Sequence, residues 1–188
     1  METRTIFFIG KPGCGKGDQT RLLSEKTGWP IFASGDLFRA IAQENTPVGK
    51  KVKEENYAGI LQPYWFAMYL FLTTLFSIPE GGSAIFDGFN RKLPEAELVI
   101  DAMKWLNRPF TVLHLKVSDE EIKNRLALRK EKEGRADDAF VDRRLEEYRE
   151  YTEPCIELFR KAGVLIEIDG EREREPIAAD IRKALSLE

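Results

Sequence analysis

Gly10-Lys11-Pro12-Gly13-Cys14-Gly15-Lys16 sets glycines at the spacing that lets backbone N–H groups wrap a chain of phosphates without side-chain interference. The start of a following helix would add positive partial charge at the same place. Lys16 can bridge the terminal phosphates and follow the charge as it moves. A bare structural turn is the alternative. It is disfavoured because the spacing, the apolar run before the loop and the helical run after it agree. A second group with chemistry in it is Asp87. It closes the apolar run Ala84-Ile85-Phe86, where a carboxylate beside a phosphate loop can hold Mg²⁺ through water. A third is the run of arginines from Arg125 to Arg144, which composition alone would assign to a solvated helix face. The loop and the carboxylate point to chemistry on phosphates.

Other chemistries find little support. Cys14 and Cys155 are far apart, with no C-x-x-C spacing for metal or redox work, and fit a reducing cytosol. The lone His114 lies inside the apolar run Phe110–Leu115 and reads as a satisfied core histidine. A net charge of −3 on 188 residues gives no footprint for a nucleic-acid polymer. The most apolar stretch, Tyr64 to Phe76, falls short of the roughly 20 residues a bilayer needs. The N-terminus, Met1-Glu2-Thr3-Arg4, shows no secretory signal. A cytoplasmic protein with no membrane association is expected.

The elements that must position these groups alternate along the chain. Strands are expected at Thr5–Ile9, Pro30–Ala33, Ala84–Phe86, Phe110–Leu115 and Val164–Ile168. Helices are expected from near Gly15, then over Asp36–Gln43, Val48–Tyr57, Pro63–Ser77, Pro94–Trp105, Asp119–Lys132, one long helix over about 139–162, and Pro176–Leu185. Near-continuous apolar strands between helices predict an α/β fold, a five-stranded parallel sheet covered on both faces. Ligands of such sheets bind beyond the strand carboxyl ends, where every candidate group falls. The aromatic helix Pro63–Ser77 reads as core packing and partner-helix contact, with no chemistry assigned.

Gly10 to Gln19 resembles the adenylate kinase form of the phosphate loop, in which Gly-Lys-Gly precedes Thr-Gln; here the order is Gly15-Lys16-Gly17-Asp18-Gln19. Ala33-Ser34-Gly35-Asp36-Leu37-Phe38-Arg39, Ala58-Gly59-Ile60-Leu61-Gln62 and Asp87-Gly88-Phe89-Asn90-Arg91 are similar, in the family's order, to its monophosphate-binding segments. Asn124-Arg125-Leu126-Ala127-Leu128-Arg129 through Gly134-Arg135-Ala136-Asp137-Asp138 resembles the short-lid members. The resemblance covers nearly the whole chain. It implies a P-loop NTPase fold in a single domain: a core of 1–33, 64–128 and 139–188, a monophosphate-binding insertion at about 34–63, and a short lid at about 129–138.

By that resemblance ATP lies against Gly13, Cys14, Gly15, Lys16, Gly17 and Asp18, with Arg125 beside its adenine and Arg129 on its phosphates. The acceptor side takes Ser34, Arg39, the backbone of Ile60 and Gln62, Gly88, Arg91 and Glu95. Arg39 grips the monophosphate with its bidentate fork. Arg91 bridges donor and acceptor phosphates, while Arg129, Arg135 and Arg144 stabilise them on lid closure. Arg143 is the alternative to Arg144, because Asp138 to Arg144 runs about two residues short of the family spacing. Asp137 and Asp138 orient the arginines. Mg²⁺ with ATP is the implied cofactor, AMP the implied acceptor and a monomer the implied state.

The chain departs from the family pattern at three points. Asp18 replaces the loop Thr and would either repel the phosphates or hold Mg²⁺. Asn90 replaces a Pro that commonly follows a cis bond, so the backbone before Arg91 is expected to change. Glu95 replaces the Gln of adenylate-specific members. An ionised carboxylate only accepts, so it faces the adenine N1 lone pair badly and suits the N1–H and N2–H₂ of guanine, unless Glu95 is merely solvent-exposed on a first helical turn. The expected function is reversible phosphoryl transfer from Mg·ATP to AMP. Alternatives are GMP, then CMP or UMP, as acceptor, or a degenerate nucleotide-binding module. Lys16, Asp87, Arg91, Arg129 and Arg135 argue against the last.

Overall fold

A strand buried on both faces must be apolar at nearly every position, and Thr5-Ile6-Phe7-Phe8-Ile9 meets that requirement. In the computed structural model, which describes residues 3–133 and 140–187, this segment is β1 (Thr5–Gly10), the centre of a parallel sheet. The other strands are β2 (Ile31–Ala33), β3 (Ala84–Asp87), β4 (Phe110–Lys116) and β5 (Leu165–Asp169), in the order β2-β3-β1-β4-β5. The register pairs Phe8 with Asp87 and Gly10 with Leu115. The expected α/β fold is therefore the observed one. The connection after β1 runs to β2 on one side and that after β3 to β4 on the other, so strand order reverses at β1, the place where such sheets take ligands.

Successive residues of β1 feed two cores. Phe7 and Ile9 face one, with Phe71, Phe86, Phe89, Val99 and Phe159. Ile6 and Phe8 face the other, with Leu23, Ile85, Leu113 and Ile181. The first is dominated by aromatic contacts, Phe7 stacking on Phe86 at 5.0 Å and Phe89 meeting Phe86 edge-on at 5.7 Å.

The helices are α1 (Lys16–Thr27), α2 (Ser34–Ala42), α3 (Pro47–Tyr57), α4 (Tyr64–Ser77), α5 (Leu93–Trp105), α6 (Asp119–Glu133), α7 (Val141–Glu147), α8 (Glu153–Lys161) and α9 (Arg174–Ala184). Two expectations are corrected here. The helix expected over about 139–162 is divided by a π-helical turn, Tyr148–Thr152, in which the Glu153 N–H bonds to Tyr148 O. Pro154 supplies the reason: it has no N–H for the Glu150 carbonyl and its ring crowds that turn. The second concerns α4, which is core on one stripe only. Ala67, Met68, Phe71 and Leu75 are buried, whereas Trp65, Tyr69 and Phe76 are about 60 % exposed. A helix apolar all round still presents a single stripe to the layer it packs on.

His114 is buried as expected, with Nε2 3.1 Å from the Tyr148 hydroxyl. Its Nδ1 lies 3.4 Å from a Glu167 carboxylate oxygen, an ion-pair distance without hydrogen-bond geometry. Burial lowers its pKa to about 4, against the partial support of Glu167. Among the described residues no helix is long and apolar enough to cross a membrane.

Candidate active site

The phosphate loop is built by close packing as much as by hydrogen bonds. Gly13 has φ +81°, and a Cβ there would come within 2.7 Å of the Leu126 side chain. The loop thus lies flush on α6, and α1 starts behind it at Lys16. The Lys16 ammonium turns back onto the loop, donating to Gly10 O at 2.8 Å and Lys11 O at 2.9 Å. Arg125 lies across the same loop, its Nη1 3.3 Å from Cys14 O while its Nε donates to Glu121 at 2.6 Å.

Asp18 sits on the outer side of α1, half exposed and ion-paired with Arg21 one turn on. The pairing offsets its charge and turns the carboxylate along the helix surface. Lys11 was not singled out by the sequence. Its ammonium bonds Val117 O at 2.9 Å and lies 2.6 Å from an Asp119 carboxylate oxygen, tying the loop to the start of α6. No local pattern announces a contact made across more than a hundred residues.

Asp87 stands at the end of β3, next to the phosphate loop through the Phe8 register. Burial raises its pKa, while Lys16, Arg91 and Arg39 oppose that shift with favourable charge. All three cations therefore act on one carboxylate. Beside it, Gly88 has φ +76°, and a Cβ would meet Arg91 Nη2 at 2.5 Å and Ser34 Oγ at 2.7 Å. Both neighbours use its carbonyl: Ser34 Oγ donates to Gly88 O at 2.8 Å and Arg91 Nε at 2.6 Å. Arg39 is exposed and paired with Asp36 on its own helix.

Asn90 does change the backbone, though not through a cis bond; none occurs among the described residues. It takes φ +67°, a left-handed conformation that asparagine tolerates better than most side chains. It is fully buried, and neither polar atom of its side chain has a partner in the described structure. Glu95 is buried too, at 3 % exposure, so the solvent-exposed alternative is excluded. It lies in the first turn of α5, where a carboxylate favours the helix dipole. Desolvation raises its pKa, opposed by the Arg91 and Lys92 backbone N–H groups and by both side-chain charges.

Of the base-lining candidates, Gln62 is buried and donates to Asn56 Oδ1 at 3.2 Å, whereas Ile60 is exposed. Lys92, also missed by the sequence, holds this segment: its ammonium bonds Gln62 O at 3.1 Å and lies 5.4 Å from the Tyr151 ring centroid. On the far side, a Cβ on Gly59 would sit 3.5 Å from Arg144 Cγ and 3.9 Å from Arg143 Cγ. Arg143 is exposed and 3.6 Å from Glu147, while Arg144 is half-buried; this favours Arg144 as the inward arginine. Arg129 is half-buried on α6. Arg135, Asp137 and Asp138 lie outside the described residues.

The geometry thus gathers a lysine-bearing phosphate loop, the Asp87 carboxylate and arginines from separate elements at one end of a parallel sheet. A sequence model of the adenylate kinase family matches residues 8–164. The adenylate kinase of Maricaulis maris is 35 % identical over 186 residues, covering 96 % of this chain and 97 % of that protein. The adenylate kinase of Thermus thermophilus is 35 % identical over 187 residues, covering 98 % of each. That of Leptospira biflexa is 32 % identical over 185 residues, covering 97 % of this chain and all of the relative. Matches of this length, on a sheet and loop of this geometry, establish that the chain belongs to the adenylate kinase family.

Proposed function

We propose that the protein transfers a phosphoryl group reversibly from Mg·ATP to AMP, giving two ADP, with the roles assigned above to its site residues. The observation that carries this reading is the register that sets Asp87 against Phe8, just ahead of the Lys16 loop, with Ser34 and Arg91 both bonded to the adjoining Gly88 O. Phosphoryl transfer asks for aligned oxygens and positive charge around them, and little covalent help from the protein. Lys16 exchanges its loop carbonyls for terminal phosphate oxygens. Arg125 covers the donor nucleotide. Arg39 and Arg91 take the monophosphate, and Arg91 spans the two nucleotides. Arg129, Arg135 and Arg144 add charge when the lid at about 129–138 closes over the insertion at about 34–63 and excludes water.

The residues fit Mg²⁺ arriving with the nucleotide. Asp87 is one carboxylate, and among the described residues no group of three potential ligands gathers around it. Asp87 would hold such an ion through water, as a single carboxylate can. When bound, Mg²⁺ neutralises part of the phosphate charge.

The buried carboxylate of Glu95 favours a second reading for the acceptor base. Guanine presents donors to it and adenine presents a lone pair, so GMP is proposed as a secondary acceptor ahead of CMP and UMP. A monomer is proposed from the family resemblance, and two free cysteines suit the cytoplasm. A coupled assay with Mg·ATP against AMP, GMP, CMP and UMP tests the proposal, with Lys16→Ala as the blank. Turnover of AMP above the blank is expected. Nucleotide binding without turnover of any acceptor would leave a degenerate binding module instead.

A further inference from the structure

Three side chains of the π-helical turn reach three separate elements. The Tyr148 hydroxyl meets His114 on β4 at 3.1 Å, Arg149 pairs with Asp119 at the start of α6, and Thr152 Oγ1 donates to Arg91 O at 3.0 Å. The last contact stands out chemically. Thr152 is the residue before α8, where a threonine hydroxyl ordinarily caps the helix, yet it makes no cap bond. The helical turns run on through this point, so no free N–H group awaits it. Thr152 is 3 % exposed, and its hydroxyl is instead directed to a carbonyl 61 positions earlier.

That carbonyl belongs to Arg91, whose N–H is already held by Glu95 Oε2 at 2.8 Å. The peptide groups on both sides of its Cα are therefore fixed by buried side chains, and Arg91 Nε is fixed by Gly88 O at 2.6 Å. Only the outer guanidinium nitrogens remain to be directed at a ligand. We propose that Thr152 is a positioning residue for the acceptor-side arginine, holding the Arg91 carbonyl opposite Glu95 and joining the monophosphate grip to the helix that follows the lid. This rests on the phosphate-binding role given above to Arg91.

The test is a double-mutant cycle on the whole protein, with kcat and KM measured separately for AMP and ATP. Thr152→Val keeps the shape and removes the hydroxyl. It is expected to raise the KM for AMP by about five-fold, the size of one neutral hydrogen bond, and to leave the KM for ATP within two-fold. Thr152→Ser, which keeps the donor, is expected to match the wild type. In an Arg91→Ala background, Thr152→Val is expected to add less than two-fold, since the carbonyl remains but no guanidinium is left to position. If Thr152→Val folds poorly, Thr152→Ala repeats the cycle without placing a methyl against the carbonyl. A loss that persists undiminished in the Arg91→Ala background, or that falls equally on ATP, overturns the proposal. Wild-type protein that turns over no AMP overturns the function assigned to the site and this inference with it. An active wild type with an additive cycle overturns this inference alone.

Discussion

Glu95 Oε2 accepts the backbone N–H of Arg91 at 2.8 Å, so the carboxylate proposed to read the acceptor base also anchors the chain that carries the arginine proposed to grip the monophosphate. An ionised carboxylate has about four acceptor positions, which leaves room for a base alongside the backbone. Gln at this position would keep an oxygen for Arg91 and present an amide to the base. Glu95→Gln should therefore lower kcat/KM for GMP by about ten-fold and raise it for AMP, from the 1–3 kcal/mol of an unmet buried polar group. The ratio of the two acceptors in a coupled assay checks this. An unchanged ratio would restrict Glu95 to the backbone.

Lys16→Ala should lower kcat by about 10²–10³, the usual consequence of removing one preorganised charge donor. Its two bonds to loop carbonyls, at 2.8 and 2.9 Å, are made within the loop itself, so a thermal melt should move little. Circular dichroism melts beside initial rates separate the two effects.

Asp18→Thr should raise kcat/KM for ATP by no more than about five-fold, because the carboxylate is half exposed and offset by Arg21. The gain should shrink at high salt, where exposed charges are screened. A loss of activity would instead favour a role for Asp18 in holding the metal.

Gly88→Ala would place a methyl 2.5 Å from Arg91 Nη2 and 2.7 Å from Ser34 Oγ, at a φ of +76°. The KM for AMP should rise at least ten-fold while ATP affinity, measured by fluorescence titration, stays near the wild-type value, since misplaced binding groups cost this much or more.

Protein stability should fall on acidification because of His114. Its folded pKa, about 4, lies below the ordinary 6.5, so the unfolded chain takes up the proton first and stability is lost as pH drops from 6.5 toward 4. The expected loss between pH 7 and pH 5 is about 2 kcal/mol from this residue. Urea unfolding of His114→Gln at both pH values should show a correspondingly smaller difference. An equal difference would place the acid sensitivity elsewhere.

The strands were readable because each is a nearly continuous apolar run, and the phosphate loop because its glycines and lysine are contiguous. Asp87, Gly88 and Arg91 were readable for the same reason. The π-helical turn was missed although Pro154 was in view, since amphipathic spacing on either side suggested one uninterrupted helix. Lys11 and Lys92 carry no local signature; each acts through a carbonyl or carboxylate brought near only by the fold. The outward aromatic face of α4 was equally hidden, because a segment with no polar side gives periodicity nothing to mark.

The π-helical turn also sets a phase between α7 and α8. Each residue of an ordinary helix advances by about 100°, so the wide turn lets the helix before it and the helix after it face different neighbours. Ahead of it, Arg144 comes up against Gly59 of the acceptor insertion. Behind it, Cys155 and Phe159 are fully buried in the core. Removing one residue between Tyr148 and Thr152 would bring the two halves into a single rotation. Either the arginine or the apolar stripe would then face the wrong way. At this point in the chain it is length, more than composition, that decides which side chain faces Gly59.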